Sequence, residues 1–253
     1  MKSKPEISVI TVCYNSADDL LETIDSVSRQ TYSDLEYIVI DGGSSDHTIQ
    51  ILKNSNRVDK YISEPDLGIF DAMNKGASLA SSEYLLYLNA GDHFSSPYAL
   101  EAYASKMRTE DADIFFGRML WVDIFKKHVH PTNRLDVRFV SQLYNDRFPH
   151  PATCYKKSLF DRLGGFDISF QIMADYEFNL RALIDYKTRF QIIEVVLVCF
   201  HTGGVSTSSE FSQLKQEEDL RIQKAYFDKN GISKIFPFFE HLPCRKLNNI
   251  DYL

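Results

Sequence analysis

The sequence predicts an α/β protein, a mostly parallel sheet with helices on both faces followed by a mixed second half. Two apolar runs and one alternation carry this prediction. Tyr84 to Leu88, Y-L-L-Y-L, is five apolar or aromatic residues bounded by polar turn residues, the pattern of a strand buried on both faces. Ile7 to Cys13, I-S-V-I-T-V-C, is a similar run rich in β-branched residues. Through residue 112 the patterns alternate as β-α-β-α-β-α-β-α, the order of a right-handed parallel sheet.

The first strand empties into Tyr14, Asn15 and Ser16, and a helix follows with Leu20, Ile24 and Val27 at helical spacing. Ser16 with Asp19 reads as its capping pair. Glu36 to Ile40 is the second strand, running into Asp41, Gly42, Gly43, Ser44, Ser45 and Asp46. The last two suit the start of a helix at Thr48 to Lys53. A short strand at Val58 to Ile62 leads through Glu64, Pro65, Asp66, Leu67 and Gly68 to a helix at Phe70 to Leu79. After the Tyr84 strand, Ser96 and Pro97 predict a helix start, cap then proline.

From Asp113 the pattern changes. Ile114 to Phe116, Met119 to Val122 and Lys127 to His130 read as short strands, with connections too brief for helical crossovers, so antiparallel pairing is expected. Asn133 to Phe148 shows no clear pattern. Ala152 to Tyr155 reads as a strand, and Ser158 to Leu163 as a short helix stopped by Gly164 and Gly165. Asp175 to Asp185 reads as a helix. Gln191 to Phe200 reads as a long apolar strand ending at His201, Thr202, Gly203 and Gly204. There is no internal repeat and no low-complexity linker.

Composition narrows the class. The chain has 253 residues, 44% hydrophobic and 25% charged, ordinary for a globular protein with a substantial core. A net charge of -7 argues against a nucleic-acid partner, which would favour a basic face. Cys13, Cys154, Cys199 and Cys244 are far apart and form no C-x-x-C pair, so neither a zinc site nor a disulfide framework is expected. No apolar segment reaches the length of an export signal or a membrane span, and the chain reads as cytoplasmic.

The chemistry gathers at strand ends. Tyr14-Asn15, Asp41 and Asn89-Ala90-Gly91-Asp92 all follow predicted parallel strands and should share the carboxyl edge where open α/β sheets bind ligands. That edge holds at least two carboxylates and no dense basic patch. A hard divalent cation bound through oxygen would reconcile those acids with an anionic ligand. No G-x-G-x-x-G follows the first strand and no G-x-x-x-x-G-K-[ST] occurs, which disfavours dinucleotide and Walker-type sites. A loop reading Y-N-S-A-D-D lacks the glycines and cations a nucleotidyltransferase would place there.

Several spaced segments then form one set: I-S-V-I-T-V-C-Y-N, S-V-S-R-Q-T-Y, E-Y-I-V-I-D-G-G-S-S-D, E-P-D-L-G-I-F-D-A-M-N-K-G and Y-L-L-Y-L-N-A-G-D. With K-K-S-L-F-D-R-L-G-G-F-D and A-D-Y-E-F-N-L-R-A they resemble family 2 glycosyltransferases of the GT-A fold over about Ile7 to Gly204. Within that family the set is most similar to bacterial enzymes building exopolysaccharide, colanic acid or O-antigen repeats. The resemblance implies residues 1–204 as a GT-A domain, with a nucleotide-sugar half at 1–112, an acceptor and catalytic half at 113–204, and a C-terminal helical tail at 205–253.

It also implies inverting transfer of a sugar from a nucleoside diphosphate to a hydroxyl acceptor, a saccharide or lipid-linked saccharide, with Mn2+ or Mg2+ on the diphosphate. By position, Tyr14 would stack near the base, Asp41 would hold base or ribose, and Asp66 and Asn74 would line the donor site. Asn15 and Asn89 lie at the same strand ends and join the donor set. Asp92 would be the metal ligand and Asp175 the general base. Asp175 opens a predicted helix, where the dipole favours an ionised carboxylate, and its other reading is an N-cap that only holds that helix.

Two departures from the family pattern matter. The metal motif usually reads D-x-D or D-x-D-D, whereas the earlier acidic places are Asn89 and Gly91, leaving Asp92 alone. His201, following a long strand and preceding two glycines, is the candidate extra ligand, its other reading being a structural or exposed histidine at a strand end. Gly42 stands where many members carry a second Asp beside the one at Asp41. A nucleotide-sugar-binding protein without transfer activity is the alternative that the thinned motif suggests. His150, between Pro149 and Pro151, reads either as facing the acceptor or as shaping its loop. Lys75 and Arg181 read as solvated or locally paired. The tail combines a charged helix at Ser209 to Phe227 with I-F-P-F-F-E-H-L-P-C-R-K, read either as a peripheral membrane contact or as a segment docked on its own domain.

Overall fold

The computed structural model describes residues 6–122, 127–129, 148, 150–185, 187–201 and 209–226. The first half contains β1 (Ile7–Cys13), α1 (Ala17–Ser28), β2 (Leu35–Asp41), α2 (Thr48–Asn54), β3 (Lys60–Ser63), α3 (Ile69–Leu79) and β4 (Tyr84–Tyr87). The second contains β5 (His93–Phe94), α4 (Ala99–Met107), β6 (Ile114–Val122), β7 (Lys127–Val129), β8 (Thr153–Lys156), α5 (Lys157–Arg162), α6 (Ala174–Ile184), β9 (Phe190–His201) and α7 (Ser212–Tyr226).

The described strands form one sheet in the order β3-β2-β1-β4-β8-β6-β9-β5, with β7 on β6. The four strands β3, β2, β1 and β4 are parallel, as the β-α alternation requires. Their register sets Cys13 beside Asp41, so the loops after β1 and β2 emerge side by side. β7 is antiparallel to β6, as the short connection predicts, and β8 is antiparallel to β4 and to β6. β9 returns parallel to β6.

Alternation of side chains along buried strands builds two cores, one on each face of the sheet. Ile10, Val12, Ile38, Ile40, Leu85 and Tyr87 face α3, α5 and α6. Ile7, Val9, Tyr37, Val39, Tyr84 and Leu86 face α1, α2 and α4. Gly76 lets α3 lie against β1, because a Cβ there would collide with the Ile10 γ2 methyl. α7, expected as part of a tail, contributes the fully buried Ile222 to the core that holds Tyr176 and Phe178.

Local expectations needed correction where tertiary bonds replaced local ones. Ser16 makes no side-chain cap on α1; instead Asp46, from the loop after β2, accepts the Ala17 N–H at 3.2 Å. The helix foreseen at Ser96-Pro97 begins at Ala99, and Gln30, just past the end of α1, accepts the Leu100 N–H at 3.1 Å. The two strands foreseen at 114–116 and 119–122 are one strand, β6, with register shifts between Phe116 and Met119. β5 had no expectation at all. His130, residues 133–147, Thr202 to Gly204 and the aromatic tail beyond Tyr226 lie outside the described residues.

Candidate functional site

The loops after β1 and β2 are knitted to each other. Asn15 sits in the left-handed region, φ 46°, where its backbone N–H donates to Ser44 Oγ at 2.7 Å. Its side-chain oxygen accepts the Ser45 N–H at 2.8 Å. Asp41 is fully buried and accepts from the Ser44 N–H at 3.1 Å, the Ser44 hydroxyl and the Ser63 hydroxyl at 2.7 Å. Both residues, expected in the donor set, spend these polar atoms on the chain itself.

Two other expected donor residues come together. The Tyr14 ring is 65% exposed at the rim. A Cβ built on Gly42 would stand 2.6 Å from Asp66 Oδ2 and 3.4 Å from Tyr14 Cδ2. The missing side chain at Gly42 is therefore the space into which Asp66 brings its carboxylate. The Asp66 Oδ1 atom accepts the Gly68 N–H at 2.9 Å, which orients it. An exposed aromatic face beside a carboxylate suits a stacked nucleoside whose donors face an acid.

Asn74 lies on α3 with its amide engaged at both ends, donating to Phe166 O and accepting from Phe166 N–H, each at 2.9 Å. It fixes the Gly164-Gly165-Phe166 turn to the first half of the chain. Arg181 serves the same turn, donating to the carbonyls of Leu163 and Gly165 while paired with Glu177. Lys75 pairs with Glu64 and Asp71, the local role its sequence position suggests.

Asp92 is 4% exposed. Its Oδ1 accepts the backbone N–H of His201 at 3.1 Å, which brings the two expected metal ligands together across the β5–β9 pairing. Its Oδ2 is buried and has no hydrogen-bond partner among the described residues. Burial pushes its carboxyl up to about 8, opposed only by the bond from His201. Burial favours the protonated carboxyl, and a cation that displaced that proton would complete the orphaned oxygen, so Asp92 fits one ligand position of a hard divalent ion. The His201 ring packs edge-on against His93, centroids 4.8 Å apart. Among the described residues no group of three or more His, Cys, Asp or Glu is poised to hold an ion alone. Further ligands would have to come from elsewhere, in keeping with the thinned motif.

A cleft open to solvent lies at the end of β4. Its polar lining is Asn89, His150, Gln171 and Asp175; Ile69, Phe70, Met73, Pro151, Ile172 and Phe200 form the apolar wall. Asn89 Oδ1 and His150 Nε2 are buried there without partners among the described residues. His150 is stacked on Tyr87 at 5.3 Å and approaches Tyr155 Oη through Nδ1 at 3.5 Å. Burial lowers its pKa against the pull of the nearby Asp175 charge, which leaves the ring neutral. An uncharged imidazole with a free nitrogen can donate to or accept from a sugar hydroxyl.

Asp175 occupies the second position of α6 and does not cap it. The residue before the helix is Met173, which offers no side-chain bond. Among the described residues the Asp175 carboxylate takes no hydrogen bond, and it lines the cleft. The reading of Asp175 as a mere cap is overturned by this geometry. Gln171, Phe200 and the α3 wall escaped the sequence reading, because apolar lining residues look like ordinary core.

Residues 8–167 match the profile of glycosyl transferase family 2. An uncharacterised glycosyltransferase of Mycobacterium tuberculosis is 36% identical over 231 residues, covering 87% of this chain and 86% of its own. The chain belongs to that family. The fold is that of solved relatives at low identity. S. aureus TarS 1–349, in complex with UDP-GlcNAc, superposes with a TM-score of 0.68 at 19% identity, over 92% of this chain and 71% of that one. The mannosyltransferase PcManGT of Pyrobaculum calidifontis, in complex with GDP-Man and Mn2+, gives 0.64 at 19%, over 94% and 69%. The chain spans 43% of the longer TarS chain. Asp175, α6, β9 and α7 lie beyond the family match. Among the described residues no helix is long and apolar enough to cross a membrane.

Proposed function

We propose that this glycosyltransferase moves a sugar from a nucleoside diphosphate to a hydroxyl acceptor with inversion, and that Asp175 is the base. The observation that carries the reading is the Asp175 carboxylate, without a hydrogen bond among the described residues, in a cleft where Asn89 Oδ1 and His150 Nε2 likewise find no partner among them. Tyr14 and Asp66 receive the nucleoside, and Gly42 leaves them room. Asn15, Asp41 and Asn74 act from behind, fixing the loops on which the donor rests.

The sugar ring lies on the apolar wall of the cleft, with Asn89 and His150 meeting its hydroxyls. Asp175 takes the proton of the acceptor hydroxyl while that oxygen forms its bond to the anomeric carbon. The bond from that carbon to the diphosphate oxygen breaks on the opposite face, and the diphosphate leaves with the electron pair. Asp92 and His201 would hold a divalent cation, whose charge would offset the charge developing on the diphosphate. We assign residues 1–112 to the donor and the following half to the acceptor. The motif resemblance supports a role in bacterial surface polysaccharide synthesis, with a saccharide or lipid-linked saccharide as acceptor, at the cytoplasmic side.

The test is nucleoside diphosphate release from a panel of nucleoside diphosphate sugars, with manganese, magnesium or chelator. Release from one donor that chelator abolishes is the expected result. Binding without release under every condition would favour a nucleotide-sugar-binding protein that lacks transfer activity.

A further inference from the structure

The helix carrying Asp175 receives its cap from elsewhere. Glu218, on α7 and 45 residues beyond Met173, is 5% exposed and aims its carboxylate at the open end of α6. It accepts the backbone N–H groups of Gln171 at 2.6 Å, Ile172 at 3.0 Å and Met173 at 3.0 Å. Three donors converge on one acceptor-only group, which ties down the residues leading into α6, the Met173 N–H among them, and sets a carboxylate near the positive end of that helix. The local sequence supplies no side-chain cap.

Neighbouring bonds come from the same helix. The Arg221 guanidinium lies over the Phe170 ring, 3.8 Å from its centroid, and donates to Ser169 O at 3.2 Å and to the Ser169 hydroxyl. Tyr226 Oη donates to Glu177 at 2.6 Å. α7 thus grips the chain at Met173 and at Glu177, the residues two before and two after Asp175. Gln171 and Ile172, held by Glu218, themselves line the cleft.

We propose that Glu218 is a positioning residue for transfer: from the C-terminal helix it fixes residues 171–173 and the first turn of α6, and so aims Asp175 at the acceptor hydroxyl. This rests on the reading of Asp175 as the base. A base that is misplaced by a fraction of a hydrogen-bond length loses turnover while leaving donor binding alone, since the donor contacts lie on other elements. Glu218 does not touch the reacting atoms.

The test compares Glu218→Gln with wild type, Asp175→Asn and Leu100→Ala. The last removes a fully buried side chain of α4, in the core on the opposite face of the sheet from α6, so it controls for lost stability. Release of nucleoside diphosphate from UDP-GlcNAc and GDP-mannose gives kcat and KM, and amide hydrogen exchange reads residues 171–173 directly.

Glu218→Gln turns an amide NH2 toward backbone donors. It is expected to speed exchange at 171–173 at least tenfold and to lower kcat at least tenfold, with donor KM within twofold. Leu100→Ala is expected to lower Tm yet keep kcat within twofold. If Glu218→Gln fails to fold, Glu218→Asp, with its carboxylate drawn back by one methylene, is expected to show a smaller loss in kcat of the same kind. Unchanged exchange, or wild-type kcat in a folded Glu218 variant while Asp175→Asn is silent, overturns the proposal alone. An active Asp175→Asn overturns the base reading and the proposal with it.

Discussion

The Asn74 side-chain amide binds both backbone polar groups of Phe166, donating to its carbonyl and accepting from its N–H, each at 2.9 Å. This pair joins α3, in the first half of the chain, to the turn that precedes α6. A Cβ at Gly165 would meet Asn74 Oδ1 at 2.7 Å, and Gly165 itself adopts φ 71°, so the turn is shaped around the amide.

Asn74→Ala is expected to destabilise the fold by about 1–3 kcal/mol, because two backbone groups lose their partners. Asn74→Asp keeps the acceptor and loses the donor, and should fall between wild type and Ala. Chemical denaturation measures both. A loss under about 0.5 kcal/mol for Asn74→Ala, the range of ordinary surface substitutions, would contradict the assignment.

Glu36 predicts a pH dependence. Its buried carboxylate accepts from Ser8 Oγ at 2.7 Å, Ser81 N–H at 2.9 Å and Ser81 Oγ at 3.0 Å, and pairs with Lys60 at 2.6 Å. Burial alone would raise its pKa, but the bonds from Lys60, Ser81 and Ser8 outweigh it and hold the value below the ordinary 4.5. A lowered folded pKa contributes stability that is complete above the unfolded value and is lost as pH falls through the folded one. Glu36→Gln should therefore cost most at neutral pH, and its deficit against wild type should shrink below about pH 4.5. A deficit that is constant from pH 7 to pH 3 would contradict this.

At the rim, Gly42→Ala places a methyl where Asp66 Oδ2 now sits. Asp66 must then withdraw from the nucleoside face beside Tyr14. Losing one hydrogen bond to a charged group corresponds to roughly 1.5–3 kcal/mol, about a tenfold to hundredfold weaker nucleoside diphosphate. Titration calorimetry with nucleoside diphosphates reads this directly, with Tm nearly unchanged. Wild-type affinity would remove Asp66 from the donor site.

The parallel half was legible because β1, β2 and β4 are covered on both faces, which leaves unbroken apolar runs in the sequence. β5 was not, since two residues held only by pairing with β9 carry no period. Caps were the weakest part. The Ser16-Asp19 spacing has the form of a cap, yet Asp46 supplies it, and α6 is capped by Glu218 far along the chain. Asp41 and Asn74 have the side chains of ligand residues, and only the packed structure reveals that their polar atoms are already engaged. Asp175 was visible as an acid at a helix start. Its freedom from capping was not, because that depends on α7.

The most direct test of the central claim is Asp175→Asn, measured for donor affinity and for turnover on one preparation. The substitution keeps the shape of the side chain and removes the proton acceptor. We predict a donor Kd within about twofold of wild type and a kcat lowered by roughly 10²–10⁴, the range that a general base contributes. A kcat close to wild type would show that another group takes the proton, and the role assigned to Asp175 would fall.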